Sequence, residues 1–252
     1  MSHLIDQIKK GAKNFAAYVK KIIDDFFKWL EDLFKSGKAD EVFDDKNLFW
    51  KKISDDIISK IPKIELHQIS NDLDELYSAA STANRELKNA TKEFAKKTNG
   101  KAGFRNGLKS RERALEKIDS DYFGDASRLV DIAGSKVVYE TVDDLYIALN
   151  KFNKEYKILK IKDRIQQPLN GYRDILMNIE MKNGHIVEFR LHLKEMDEVA
   201  EGIGHKLYEE RRNLEAIYTR RELTIQEQIT INKLKKQEKI LYDEVWNKIK
   251  NK

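Results

Sequence analysis

The chain has 252 residues, 36% charged and 40% apolar, with a net charge of +5 and a pI of about 9.0; that allows one sizeable core and suits phosphate-bearing ligands, although a lysine-rich genome gives the same balance. It has no cysteine, which excludes disulfides and thiolate metal sites, and its histidines show no metal-ligand spacing, so a hard cation such as Mg²⁺ is the metal still open. No apolar run reaches membrane-spanning length, and the start MSHLIDQIKK lacks the apolar centre of a signal peptide, so the expected place of action is the cytoplasm, with no membrane partner.

The apolar spacing from Ile5 through Phe15 and Leu30 to Phe34 predicts a first amphipathic helix, and SGKADE after it predicts a break. A second helix is expected over 48–61, stopped by Pro62, and a third over 66–97, stopped by Asn99-Gly100. These form a helical N-terminal region, 1–100. The middle, 101–221, is mixed. A helix over 108–118, a buried strand over 133–139, a helix over 142–152, and strands over 158–165, 172–181 and 186–193 follow in order, with Asn183-Gly184 as a hairpin turn. That order predicts an α+β fold with a mainly antiparallel mixed sheet flanked by helices. The tail, 222–252, has no Gly or Pro, and Leu234, Leu241, Val245 and Ile249 make one helix face. That face suits packing on its own domain, or pairing with a second copy as a homo-oligomer.

Four segments carry candidate chemistry. In GLKSRERALEKI, Lys109, Arg113 and Lys117 lie four apart, so on a helix they share a face that would suit a triphosphate; a solvated basic face has the same pattern. In DIAG, Asp131 stands at a strand mouth, where a carboxylate can hold a metal, and Gly134 leaves room for close approach to the backbone. In strand 186–193, period two puts Glu188, Arg190 and His192 on one face and Val187, Phe189 and Leu191 on the other. KDRIQQPLNGY is a loop ending in Tyr172, an aromatic placed to stack on a base or to pack beneath the loop.

A basic helix, DIAG with its strand, the KDRI…P…NGY loop, the VEF strand and then AEGIGHKLYEERR, in that order, resemble the RelA/SpoT family of (p)ppGpp synthetases. The resemblance spans about 107–212. It implies a nucleotidyltransferase-like synthetase core and an ATP-dependent 3′-pyrophosphokinase. In that activity a ribose 3′-hydroxyl attacks the β-phosphorus of ATP and AMP leaves. Asp131 and Glu188 match the pair that shares Mg²⁺, with Glu188 the candidate base; Lys109 and Lys117 match cations that hold the ATP phosphates, and Arg113 joins them. Lys162 matches the lysine opening the loop, Lys136 replaces a usual arginine, and Tyr172 matches the tyrosine that stacks on the acceptor base.

The loop departs from the family's PK-x-NGY: one residue is missing and Leu169 stands where the lysine would be. The glutamate strand, usually E-x-Q-x-R, has Arg190 and His192 after Glu188. These changes fall on the acceptor side and point to an altered acceptor, a purine nucleotide or an RNA such as a tRNA 3′ end. No hydrolase motif precedes the core, so the resemblance also implies a growth-inhibiting toxin held by an immunity or antitoxin protein, possible as a delivered effector domain. A non-catalytic RNA- or partner-binding module would keep the basic helix but need neither Asp131 nor Glu188, and a helical structural protein would need no ionisable strand.

Overall fold

The computed structural model describes residues 39–218 and 221–250; the predicted helix through Phe34 lies outside them. The chain divides into two units, Met1–Trp50 and Lys51–Lys252, and the sheet and all candidate residues belong to the second. Helix α1 (Ala39–Lys60) starts inside the segment expected as a break and ends ahead of Ile61-Pro62, where a residue preceding proline is pushed out of helical backbone. Helix α2 (Leu73–Lys97) starts seven residues later than the apolar spacing suggests. Asp72 caps it, its side chain accepting from the amides of Asp74 and Glu75. The preceding segment is held extended by buried Gln68, whose Nε2 donates to the carbonyls of Leu129 and Ile186 at 2.9 Å each and whose Oε1 accepts from the Ile186 amide.

The second unit is built on a five-stranded mixed sheet in the order β1-β2-β5-β4-β3. The strands are β1 (Lys101–Phe104), β2 (Gly134–Tyr139), β3 (Ile158–Asp163), β4 (Ile175–Glu180) and β5 (Ile186–Leu193). β2 and β5 run parallel and the other neighbours antiparallel, as the α+β reading requires. β1 has no counterpart among the predicted strands. The β4–β5 hairpin forms as expected, but only Gly184 has positive φ and the Gly184 amide bonds the Met181 carbonyl. It is therefore a longer turn than the two-residue type the Asn-Gly pair suggests.

Alternation in β5 divides the sheet into two unlike faces. Phe189 meets Phe152 of α4 (Val142–Glu155) at 4.5 Å and Phe94 of α2 at 6.0 Å between ring centroids. With Val137, Val187, Leu191 and Met177 they form a fully buried apolar core. Each buried aromatic or aliphatic side chain there contributes about 1.5–3 kcal/mol. The opposite face carries Glu188, Arg190 and His192, in register with Gly134, Lys136 and Val138 of β2. Helices α5 (Lys194–Glu201), α6 (Ile203–Ile217) and α7 (Ile225–Ile249) lie on that side, packed on one another. The AEGIGHKLYEERR stretch is shared between α5 and α6, which meet at Gly202. The inward face of α7 is Ile231, Leu234, Glu238, Tyr242, Val245 and Ile249. Tyr242 takes the place expected for Leu241, and the face packs on the chain's own α5 and α6. No helix among the described residues is long and apolar enough to cross a membrane.

Candidate active site

Helix α3 (Arg111–Tyr122) begins after Ser110, whose side chain accepts from the Arg113 amide. Lys109 therefore precedes the helix, and the expected row of three cations on one helical face does not form. Two of the three converge all the same. Lys109 Nζ and Lys117 Nζ both donate to Asp131 Oδ2, at 2.7 and 3.0 Å, one from the loop and one from the helix. The Lys109 amide bonds the Ile132 carbonyl at 2.8 Å, and Arg105 donates to the carbonyls of Asp131 and Ile132. Beneath them Leu76, Ala80, Ala114, Ala126, Leu129 and Ile132 form a buried cluster joining α2, α3 and the approach to β2. Arg113 turns away, paired with Glu116 and with Glu209 of α6.

Burial raises the Asp131 carboxyl pKa, but the two ammonium groups outweigh it and hold the group below the usual carboxylate range. Lys109 is shifted down because its burial outweighs the pairing with Asp131. Lys117 is shifted up, because Asp131 and Tyr122 more than offset its burial. Asp131 Oδ1 is buried and has no hydrogen-bond partner in the protein.

On β5 the Glu188 amide bonds the Ala133 carbonyl at 3.1 Å, which sets Glu188 on the strand adjoining Asp131. Glu188 Oε1 accepts from Arg190 Nε at 2.8 Å. Arg190 also reaches Asp174, a fully buried carboxylate that binds Arg164 at 2.8 Å and accepts from the Tyr172 hydroxyl at 3.0 Å. His192 Nε2 lies 3.1 Å from the same hydroxyl. Burial lowers the His192 imidazole to about 3, so it is neutral near pH 7. Burial also holds the Tyr172 hydroxyl well above its ordinary value, with Asp174 adding to the effect. Lys136 is held by Asp197 at 2.7 Å and by Glu201, one turn apart on α5. Lys162 is exposed at the end of β3. A side chain at Gly134 would meet Arg105 and Glu188 at ordinary contact distance, so the space there is filled by Arg105.

These residues line three chambers on one face. Glu188, Arg190, His192 and Lys136 border one of about 560 Å³, and Asp131, Lys109 and Lys117 border one of about 920 Å³. Tyr172, Arg190, Leu169 and Arg211 wall a smaller one of about 270 Å³ that shares lining residues with both. The two candidate metal carboxylates thus sit on adjoining segments but border different chambers. Among the described residues no group of three or more His, Asp or Glu gathers for a metal. The fit to Mg²⁺ rests on the unpartnered Asp131 Oδ1, since that ion commonly takes one or two carboxylates and completes its shell with phosphate and water.

Several participants were not foreseen. Asp197 and Glu201, four apart on a helix, carried a legible signal, and so did Asp174, a lone carboxylate before an apolar strand. Arg164 carried none.

Residues 106–213 match the family model described as "Region found in RelA / SpoT proteins". The chain is 29% identical over 123 residues to the (p)ppApp synthetase toxin Tas1 of Pseudomonas aeruginosa (strain UCBPP-PA14), a match covering 49% of this chain and 27% of that protein. It is 32% identical over 120 residues to the GTP pyrophosphokinase rsh of Brucella melitensis biotype 1, covering 44% of this chain and 16% of that protein. The chain therefore spans well under half the length of these relatives. Its fold is similar to that in the crystal structure of the complex between the type VI effector Tas1 and its immunity protein, with a TM-score of 0.53 and 24% identity over 71% of this chain and 99% of that one. The matched region holds Asp131, Glu188, both converging lysines and Tyr172, and over residues 106–213 the chain is similar to RelA/SpoT proteins.

Proposed function

We propose that the chain is an ATP-dependent pyrophosphokinase that transfers the β,γ-pyrophosphate of ATP to the 3′-hydroxyl of a purine nucleotide. The observation that carries this reading is the convergence of Lys109 and Lys117 on Asp131, on the segment adjoining Glu188. In the reaction a bond forms between the acceptor O3′ and the β-phosphorus. The bond from that phosphorus to the α–β bridging oxygen breaks, AMP leaves with the electron pair, and the hydroxyl proton passes to Glu188 or solvent. Mg²⁺ held by Asp131, with Glu188 completing the pair, would offset charge on the phosphate oxygens. Lys109 and Lys117 stand ready to exchange Asp131 for those oxygens, a preorganised cationic pair. Arg113, Lys136 and Lys162 have weaker support as phosphate ligands. The first two are bound to carboxylates and the third is exposed outside the three chambers.

A purine acceptor agrees with the names of both relatives, a (p)ppApp synthetase and a GTP pyrophosphokinase. An RNA acceptor would need free cations beyond the pocket. Arg111, Arg211, Arg212 and Arg221 are each paired with a carboxylate, of Asp74, Glu238, Glu116 and Glu227. The Tas1 relative and its complex with an immunity protein support the further reading of a toxin with an immunity partner. The test is γ-labelled ATP supplied with GDP, GTP, ADP, ATP or deacylated tRNA in turn. Label should move to a purine nucleotide and AMP should appear; label on tRNA alone would overturn the acceptor assignment.

A further inference from the structure

The acceptor loop ends in a tight turn that meets the C-terminal helix through Asn170, Gly171, Tyr172 and the following Arg173. Leu169 and Tyr172 exchange backbone hydrogen bonds at 3.1 and 3.0 Å, and Asn170 and Gly171 between them have φ of 49° and 82°. That is a two-residue turn with both central residues left-handed, the type Asn-Gly favours. Asn170 Nδ2 donates to Glu238 Oε2 of α7 at 2.9 Å. A side chain at Gly171 would come within 3.0 Å of the Lys239 carbonyl and 3.1 Å of Tyr242 Cβ, so glycine is required by contact as well as by φ. The Tyr172 ring packs edge-on against Tyr242, 5.4 Å between centroids. The Arg173 guanidinium lies 4.6 Å over the Trp246 ring.

Glu238 ties this contact to the rest of the groove. It is 3% exposed and accepts from Arg211 Nε of α6 at 3.0 and 3.1 Å. Tyr172 is thus held on one side by Asp174, just ahead of β4, and by His192 of β5, and on the other by α7. The helix lies wholly outside the family-matched region, and the loop it braces is the one that lacks a residue and a lysine of the family pattern.

We propose that α7 is a wall of the acceptor site, in which Glu238 and Tyr242 are positioning residues that fix the 169–172 turn and so the orientation of Tyr172 toward the acceptor base. This rests on the reading of Tyr172 as the acceptor-stacking residue of a pyrophosphokinase. Held rigid, the turn presents its aromatic face without an ordering cost on binding.

The test pairs amide hydrogen exchange with transfer kinetics in the full chain. The variants are Glu238→Ala and Asn170→Gly, the second leaving the Arg211–Glu238 pair intact and remaining compatible with left-handed backbone. Ile240→Ala, on the exposed face of the same helix, is the control. Both variants should speed exchange at the Leu169 and Tyr172 amides while β2 and β5 stay protected. They should raise the acceptor KM about tenfold, the weight of one charge-assisted hydrogen bond, with the ATP KM held. Glu238→Gln, which keeps an oxygen for Asn170, should recover most of the affinity, and Ile240→Ala should match the parent chain. Unchanged loop exchange in both variants, or acceptor and ATP KM rising together with falling Tm, would overturn the proposal. If the parent chain transfers pyrophosphate to no purine nucleotide, the catalytic reading fails, and loop exchange alone then decides whether α7 fixes the turn.

Discussion

Asp131 is the residue on which charge balance at the site turns, since one of its oxygens carries two ammonium groups and the other none. Removing either lysine takes away a charge-assisted contact to phosphate, so Lys109→Ala and Lys117→Ala should each weaken ATP binding about tenfold or more, read by calorimetry. Unchanged affinity in both would show that the pair serves Asp131 alone. His192 and His185 give a second prediction, in pH. Burial depresses both imidazoles, to about 3 and about 4, so the folded state binds fewer protons than the unfolded one below the ordinary histidine value of 6.5. Their stabilising effect is complete above that value and is lost as pH falls through the acid range. His192 alone accounts for on the order of 3 kcal/mol between about pH 6.5 and pH 4. Chemical denaturation across that range should show the loss, and His192→Gln should flatten the profile.

Helix packing is the scale at which the sequence was partly legible. β5 was readable to both boundaries because period-two alternation and the Asn-Gly turn agree there. β1 was not, because Lys-Ala-Gly-Phe is a short edge strand with no β-branched residue. A three-residue error at the start of α3 was enough to misplace Lys109, since spacing favoured a helix from 108 while Ser110 caps it. The family resemblance singled out Lys109, Lys117 and Asp131 but not the meeting of both ammonium groups on that carboxylate, and the partners of Arg113 and Lys136 were not legible either. Those pairs join residues 96 and 61 positions apart, distances that no local pattern encodes. The α6–α7 contact gives a prediction of its own. A methyl at Gly204 would overlap the Tyr242 hydroxyl and crowd the Val199 carbonyl. Gly204→Ala should therefore destabilise the fold by about 1–3 kcal/mol through overpacking, read as a lower Tm, and Gly204→Ala with Tyr242→Phe should recover part of it.

For the molecule as a whole, both faces of one sheet are committed. The apolar face carries α2 and α4, and the ionisable face carries the groove walled by α5, α6 and α7. Unrestrained transfer of the proposed kind would drain purine nucleotide pools, so induced expression in bacteria should arrest growth and Glu188→Ala should relieve the arrest. Arrest that persists in a folded Glu188→Ala protein would assign the toxicity to something other than transfer. The most direct test of the central claim is acceptor-dependent release of AMP from ATP in the presence of Mg²⁺, measured for the parent chain, Asp131→Asn and Glu188→Gln at matched folded concentration. The account predicts AMP and a 3′-pyrophosphorylated purine nucleotide in equal amounts from the parent chain and loss of both in either variant. Equal AMP release by all three proteins, or none by the folded parent with any purine acceptor, would contradict it.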